Sequence, residues 1–473
     1  MNNDLVPNLI DLYVIFTHLT SNNSALIHES TRMIASYLAR NRKDAEEVLL
    51  SLSRFINSNI KSLSIPIIVK IISNILKTLS ETNNISITHV TKTFFPLLIG
   101  LILFSPWSIS EYDSLTKLIG EITLQSGGHA GQLVESHIDS ILQKCKGERM
   151  EFKYTKYAMI SLLKEFVKNC PVVAYNKLIE TFDDFMYVVG YYKDTDENIR
   201  RNTAEMITHF LELLNNRDYK IKEVYTRKIY NVIESNIIKG SSSVYVIHGT
   251  MLVLKALSVR REFFNEKYKL VMDYFYSLRH SRNPIIIVTI VEIVPYFSEY
   301  LKEVFEKFYF GNFSILFIKT YIDGYASTAL KNVILTSLGK LSLSISNRSF
   351  SPIAVEVVNM IKNDFDNNST VSLSEIDCLA SLFVKYHNEV LNRIPFDAIL
   401  NKIFLSGFYE SHVNFLEQLL LVFEENSPEE VQILVIILNV ISLIVSSRKF
   451  LLVDTIAKLK LLNDSNHLTQ STR

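Results

Sequence analysis

Residues 196–211 read DENIRRNTAEMITHFL, and the spacing of their apolar side chains decides the fold. Ile199, Thr203, Met206, Ile207, Phe210 and Leu211 stand at i, i+4, i+7, i+8, i+11 and i+12, so one face of a helix carries all six. Just upstream, Asp194, Thr195 and Asp196 offer side-chain oxygens to the unpaired amides of the first turn, as a helix start requires. The same comb fits Tyr245, Gly249, Leu252, Val253, Ala256 and Leu257 position by position.

Working outward in both directions, frames of this kind begin at Ile27, Ile68, Leu115, Tyr154, Ile199, Tyr245, Ile286, Ala326, Ile376 and Phe415, in steps of 39 to 50 residues. A period near forty is the mark of paired-helix HEAT or armadillo units, each of which buries its apolar face only against its neighbours. The expectation is an all-α solenoid, a superhelix of about ten HEAT-like helix pairs. Ser-, Asn- and Gly-rich breaks at Gln125 to Gly131, Lys239 to Ser243, Ser346 to Ser351 and Asn363 to Ser374 read as turns between units. Pro284 suits a first helical turn, where its missing donor is harmless, and Pro171, Pro295 and Pro395 are expected near helix ends. Thirteen glycines in 473 residues favour helix over sheet, and the β-branched run Ile285 to Val291 fits a buried helix better than a strand.

Composition narrows the function classes. Lys plus Arg and Asp plus Glu are equal at 49 each, so no global field attracts phosphate backbones or anionic lipid, and nucleic acid is a poor partner. Cys145, Cys170 and Cys378 are odd in number and set in helical pattern, which reads as buried reduced thiols of an intracellular protein. The opening MNNDLVPNLIDLYVIF contains Asp4 and Asp11 and no basic segment, unlike a signal peptide, so the sequon Asn84-Ile85-Ser86 is a chance match. The apolar run Pro96 to Phe104 is too short to cross a bilayer, which needs ~20 residues. Val431 to Ser447 is interrupted by Asn439 and Ser442 and carries the comb Ile433, Ile437, Val440, Ile441, Ile444 and Val445. With Glu429 and Glu430 before it and Arg448 and Lys449 after, it reads as a buried helix with complementary charges at both ends.

Motifs for catalysis are missing from the sequence: there is no Gly-rich phosphate loop, no Asp-Phe-Gly and no G-x-S-x-G elbow. No catalytic, cofactor-binding or metal-ligating residue is assigned, and no cofactor or small-molecule substrate is expected. His129 and His137, beside Glu135 and Asp139, could hold a metal in principle, but they lie two turns apart and read better as a solvated helix start. His248 reads as a satisfied packing histidine. The adjacent pairs Asp183 and Asp184, and Glu424 and Glu425, diverge on a helix and read as solvated faces. Aromatic clusters at Tyr187, Tyr191 and Tyr192, at Tyr274, Phe275 and Tyr276, and at Tyr296, Phe297 and Tyr300 admit two readings: core packing with hydroxyls at the rim, or a partner-binding ridge. Gly249 sits at an inner comb position where glycine costs ~1 kcal/mol relative to alanine, so a closely approaching neighbour is expected. On that reading alanine is near neutral there and leucine destabilises by ~1 to 3 kcal/mol.

Several segments, in order and spacing, resemble the N-terminal HEAT region of target of rapamycin (TOR) kinases. They are Gly127-Gly128-His129-Ala130-Gly131-Gln132-Leu133-Val134-Glu135, Tyr157 to Glu165 with Cys170-Pro171, Ile199-Arg200, Ile247-His248-Gly249 with Leu252, Leu254 and Leu257, and Arg282-Asn283 through Val294-Pro295. The Ile-His-Gly helix is the most specific, and weaker similarity continues through Thr328 to Leu341 and Glu375 to Leu420. The segment between that helix and Arg282 is shorter than in the larger family members, and nothing in the chain resembles the family's FAT, rapamycin-binding or kinase domains. The resemblance implies a domain order of N-terminal helical repeats at 1–126, a TOR-like HEAT solenoid at 127–423, buried helices at 424–461 and a flexible tail at 462–473. It implies a noncatalytic scaffold that joins a growth-signalling kinase complex through dimer contacts and a docked adaptor, whether as a truncated or divergent copy or as a piece of a longer product. Its expected place is the cytoplasm, with peripheral attachment to endomembranes through partners. The alternative is a free-standing adaptor such as a karyopherin-like transport receptor or a phosphatase scaffold.

Overall fold

The computed structural model describes residues 9–394 and 399, apart from 22, 42, 82–85, 127–129, 148–153, 324–325 and 369–371. Among these residues there are helices and turns and no strand, so the all-α solenoid expected from the comb is what the chain forms. The frame at Phe415, the apolar helix at Val431 to Ser447, Pro395, Glu424 and Glu425, and the segments 424–461 and 462–473 lie outside the described residues. The chain divides into two compact units, 1–264 and 265–473, each described by itself.

The first unit holds α1 (Leu9–His18), α2 (Ser24–Arg40), α3 (Ala45–Ser58), α4 (Ile65–Glu81), α5 (Ser86–Phe104), α6 (Ile109–Ser126), α7 (Gly131–Lys146), α8 (Thr155–Asn169), α9 (Pro171–Glu180), α10 (Phe182–Val189), α11 (Glu197–Leu213), α12 (Tyr219–Lys239) and α13 (Val244–Leu257), with α14 (Arg261–Ser277) beginning at its end. A 3-10 turn, Gly190–Lys193, lies between α10 and α11. The helices fall into two rows because each presents one apolar stripe to its own row and another to the row behind. Helices α2, α4, α6, α8, α11 and α13 pack successively on one another, and these are the helices on which the frames fall. In the other row α3 packs on α5, and α7 on α9 and α10. All six comb residues of α11, from Ile199 to Leu211, are buried. Each large apolar side chain of that set removes enough surface from water to contribute ~1.5–3 kcal/mol.

Helix starts explain why the first row is so regular. Asn23 Oδ1 accepts from the amides of Ala25 and Leu26 at 3.0 and 3.3 Å, and Asp196 Oδ1 from Asn198 at 2.8 Å. Ser108 and Glu111 form a reciprocal capping box at α6. Gly240, with φ 72°, closes α12 in the left-handed region where only glycine is unstrained.

The second unit continues with α15 (Pro284–Leu301), α16 (Glu303–Phe305), a π-turn (Glu306–Phe310) that leads directly into α17 (Gly311–Ile322), α18 (Thr328–Ser344), α19 (Asn347–Asn367) and α20 (Leu373–Leu391). Here α15, α18 and α20 make the first row, again the helices that carry the frames. Side chains cap all three: Asn283 for α15, Ser327 for α18, and Ser372 with Glu375 for α20. The run Ile285 to Val291 is helical, as read from its spacing.

Three local expectations need correction. Pro295 lies inside α15, not near its end; the carbonyl of Val291 that loses its helical donor accepts instead from Ser337 Oγ on α18 at 2.8 Å. The Pro96 run is the latter half of a 19-residue helix, because the helix starts at Ser86 and tolerates Pro96 within it. Helix α5 and helix α15 are therefore both long and apolar enough to span a bilayer by length and composition, with half or more of the relevant windows buried against other helices. The turn placed at Ser346 to Ser351 is only residues 345–346, since α19 starts at Asn347 and takes Pro352 into its early turns.

Candidate functional site

Two pieces of the sequence resemblance, Ile199-Arg200 and the most specific one, Ile247-His248-Gly249, meet in space. Arg200, buried on α11, donates from Nε to His248 Nδ1 on α13 at 2.8 Å and from one terminal nitrogen to the carbonyls of Asp194 and Thr195 at 2.7 and 2.9 Å. The Tyr245 ring lies 5.2 Å from its guanidinium carbon. His248 is fully buried, and accepting through Nδ1 leaves its proton on Nε2, which has no hydrogen-bond partner. Burial, and then the charges of Arg200 and Arg201, push the His248 pKa down to about 4. The histidine is thus a packing residue, as expected, but it is satisfied on one nitrogen only.

Beside it, the 3-10 turn crosses α13 at Gly249. A Cβ on that glycine would stand 1.6 Å from the Tyr192 carbonyl oxygen and 2.7 Å from its carbon. The close approach inferred from the sequence is present. The approaching group is rigid backbone, however, and the expectation that alanine would be near neutral is overturned. Tyr192 is held on the far side by Asn236 Nδ2, which donates to its hydroxyl at 2.9 Å and to Thr250 Oγ1 at 3.2 Å. Arg200, His248, Gly249 and the turn form one clasp between successive first-row helices. Its chemistry is structural, with no nucleophile and no open face.

Polar links recur between the neighbouring first-row helices. Tyr157 Oη on α8 donates to Asp113 on α6 at 2.6 Å, and Asn202 Nδ2 on α11 donates to Ser161 Oγ and the Tyr157 carbonyl on α8. Lys164 on α8 pairs with Glu205 on α11 at 2.9 Å.

In the second unit, a groove of about 440 Å³ opens between α15 and α18, lined by Pro295, Tyr296, Glu299, Lys340, Leu343 and Ser344. Beside the internal proline, α15 is held to α18 by Ser337 Oγ, which donates to the Val291 carbonyl, and by the Ser298 and Ser344 hydroxyls, 2.8 Å apart. Lys340 Nζ sits 5.3 Å from the Tyr296 ring, with half-exposed Leu343 nearby on α18. Such a groove can accept an apolar side chain between the Lys340 cation and the Glu299 carboxylate.

The residues singled out from sequence disperse. His129 lies outside the described residues, while His137 packs on Phe95 at 5.3 Å with Nδ1 2.7 Å from the Leu133 carbonyl, and Asp139 pairs with Lys177 at 2.9 Å. Asp184 pairs with Lys146, and Asp183 faces solvent. All three cysteines are buried and unbridged, and burial pushes the Cys145 thiol up to about 12. Of the aromatic clusters, Tyr192, Tyr274, Phe275 and Phe297 are buried in the core, the Tyr274 hydroxyl with them, and Tyr187 is exposed.

No protein-family model matches this chain. Two curated proteins do. The serine/threonine-protein kinase tor1 of Schizosaccharomyces pombe is 23% identical over 258 residues, covering 54% of this chain and 10% of the kinase. The serine/threonine-protein kinase TOR of Oryza sativa subsp. japonica is 21% identical over 307 residues, covering 64% and 12%. The chain resembles TOR kinases. It matches only about a tenth of the length of these relatives. In fold it is similar to the crystal structure of importin beta, with a TM-score of 0.52 at 10% identity over 86% of this chain and 52% of that one. That likeness concerns architecture: importin beta is also an α-solenoid, and the chain has the fold of a HEAT-type helical repeat.

Proposed function

We propose that the chain is a noncatalytic HEAT-repeat scaffold acting as the N-terminal part of a TOR kinase does, holding protein partners in a nutrient- and growth-signalling complex. The observation that carries this reading is the TOR similarity over more than half of the chain, together with the joining of Ile199-Arg200 and Ile247-His248-Gly249 in one clasp. On this reading the partners are a kinase-complex adaptor and a second scaffold copy, and the place of action is the cytoplasm, reaching endomembranes through those partners. The test is affinity purification of the full chain from its own cells with cross-linking mass spectrometry. Recovery of a TOR-type kinase or its adaptor, cross-linked to lysines of this chain, is expected. Repeated purification without either refutes the proposal.

The second reading is a transport receptor, favoured by the importin beta architecture. A receptor for basic signals needs an acidic binding face, and the even balance of 49 Lys plus Arg against 49 Asp plus Glu gives that no support. Titration with a lysine-rich signal peptide separates the two: tight, salt-sensitive binding supports transport, and its absence leaves the scaffold.

A further inference from the structure

The segment from Phe305 through the π-turn and α17 carries two apolar seams. One, with Phe305, Phe310, Phe313, Phe317 and Tyr321, is buried in the second unit. The other has Phe308 in the π-turn and then Gly311, Ile315, Ile318 and Ile322 on α17, whose steps of four, three and four residues are those of the a and d positions of a coiled coil. Phe308, Ile315 and Ile322 are 58%, 51% and 65% exposed. A helix that is apolar on both sides has a second surface to cover.

Gly311 adds an independent argument. Its backbone is ordinary right-handed helix, with φ −58° and ψ −37°, so no turn requires glycine, and a Cβ there would meet nothing within 4 Å. Gly249 meets a neighbour inside the fold, whereas Gly311, the first residue of α17, meets none among the described residues. The open space there leaves room for the backbone of a docked helix to approach closely. The charges say which one. Lys307 flanks Phe308 and Lys319 flanks Ile318, both exposed and both at positions that face the flanks of a partner helix. A second copy of this seam would set lysine against lysine.

We propose that Phe308, Gly311, Ile315, Ile318 and Ile322 form a docking seam for an amphipathic partner helix whose apolar stripe is bordered by Glu or Asp. This deepens the scaffold reading and rests on it. The probe is a fluorescein-labelled peptide of about four heptads with Leu at a and d and Glu at e and g, titrated against the full chain by anisotropy. Its control carries Lys at e and g. The Glu peptide is expected to bind and the Lys peptide to bind at least about tenfold more weakly. Ile315→Glu should weaken the Glu peptide by at least about tenfold while melting like the parent, and Lys319→Glu should shift preference toward the Lys peptide. Equal binding of the two peptides, no binding, or indifference to Ile315→Glu overturns the seam. So does binding to phosphatidylserine vesicles, or a dimer seen by light scattering, that the same variant abolishes. Recovery of the kinase complex at parent level by the Ile315→Glu chain overturns the seam and leaves the scaffold reading standing.

Discussion

Replacing Gly249 by alanine adds one methyl group where the structure has no room for it. The new Cβ would stand 1.6 Å from the Tyr192 carbonyl oxygen, so α13 and the 3-10 turn must part by well over an ångström to reach ordinary contact. That movement also strains the bonds from Arg200 to His248 and to the carbonyls of Asp194 and Thr195, which precede α11. Overpacking of this kind typically costs about 1–3 kcal/mol, and rigid backbone on the other side places this case at the upper end. The gain in helix propensity offsets ~1 kcal/mol. The net is a loss of about 2 kcal/mol, or about 5 °C in melting temperature for a unit of this size. Gly120 supplies the internal control. There a Cβ would come within 2.5 Å of Glu165 Oε2 and 2.7 Å of Asn169 Nδ2, both ends of side chains that can swing away. Gly120→Ala is therefore expected within about 1 kcal/mol of the parent. Thermal melts by circular dichroism on both variants decide the matter: a Gly249→Ala chain that melts with the parent, or above Gly120→Ala, refutes the clasp.

Acid should act on the same place. His248 has a folded pKa of about 4 against an ordinary 6.5, so the unfolded chain binds the extra proton and the stability from keeping it neutral, full above pH 6.5, is lost as pH falls toward 4. Denaturant melts across that window should fall more steeply for the parent than for His248→Gln, with up to ~3 kcal/mol of difference; parallel curves refute the assignment. Ser337→Ala should destabilise by about 1–3 kcal/mol by leaving the Val291 carbonyl without a donor, and an unchanged melt would show that Pro295 is accommodated otherwise. Cys145, Cys170 and Cys378 are all buried, so a thiol reagent should label none of them until denaturant unfolds the chain; rapid labelling of one in the native protein contradicts its burial.

Periodicity made the first row legible, because burial on a helix face leaves a mark every three or four residues. The frames at Ile27, Ile68, Leu115, Tyr154, Ile199, Tyr245, Ile286, Ala326 and Ile376 all fall on or just before first-row helices. Two capping boxes, Ser108 with Glu111 and Ser372 with Glu375, emerged only in the structure, the second beginning inside the Asn363 to Ser374 stretch that reads as a turn from its sequence. What stayed hidden depends on partners distant in sequence. Pro295 is tolerated inside α15 because Ser337 is 42 positions away in sequence and adjacent in space, and no local pattern reports that. Tyr245 opens its comb yet is 44% exposed, since its ring lies over the Arg200 guanidinium at the edge of the clasp. The seam on α17 was written in the sequence at heptad spacing, but the overlapping buried seam shares its helix, so periodicity alone cannot say which side meets solvent.

The clasp bears on what the TOR similarity means. Arg200 and His248 are buried, and Gly249 is where it is because a turn passes over it; none of the three can touch a partner. The most specific residues of the resemblance therefore report how successive first-row helices are spaced and angled, a geometry that a scaffold must hold constant along its length. The clasp is a feature of the repeat itself, and it is silent about who docks on it. On the proposed scaffold reading, partner choice resides in solvent-facing side chains, and Phe308, Ile315 and Ile322 are exposed apolar residues of that kind. Substitutions in the clasp should thus lower stability and all partner binding together, whereas substitutions in the seam should remove one partner from a chain that melts unchanged.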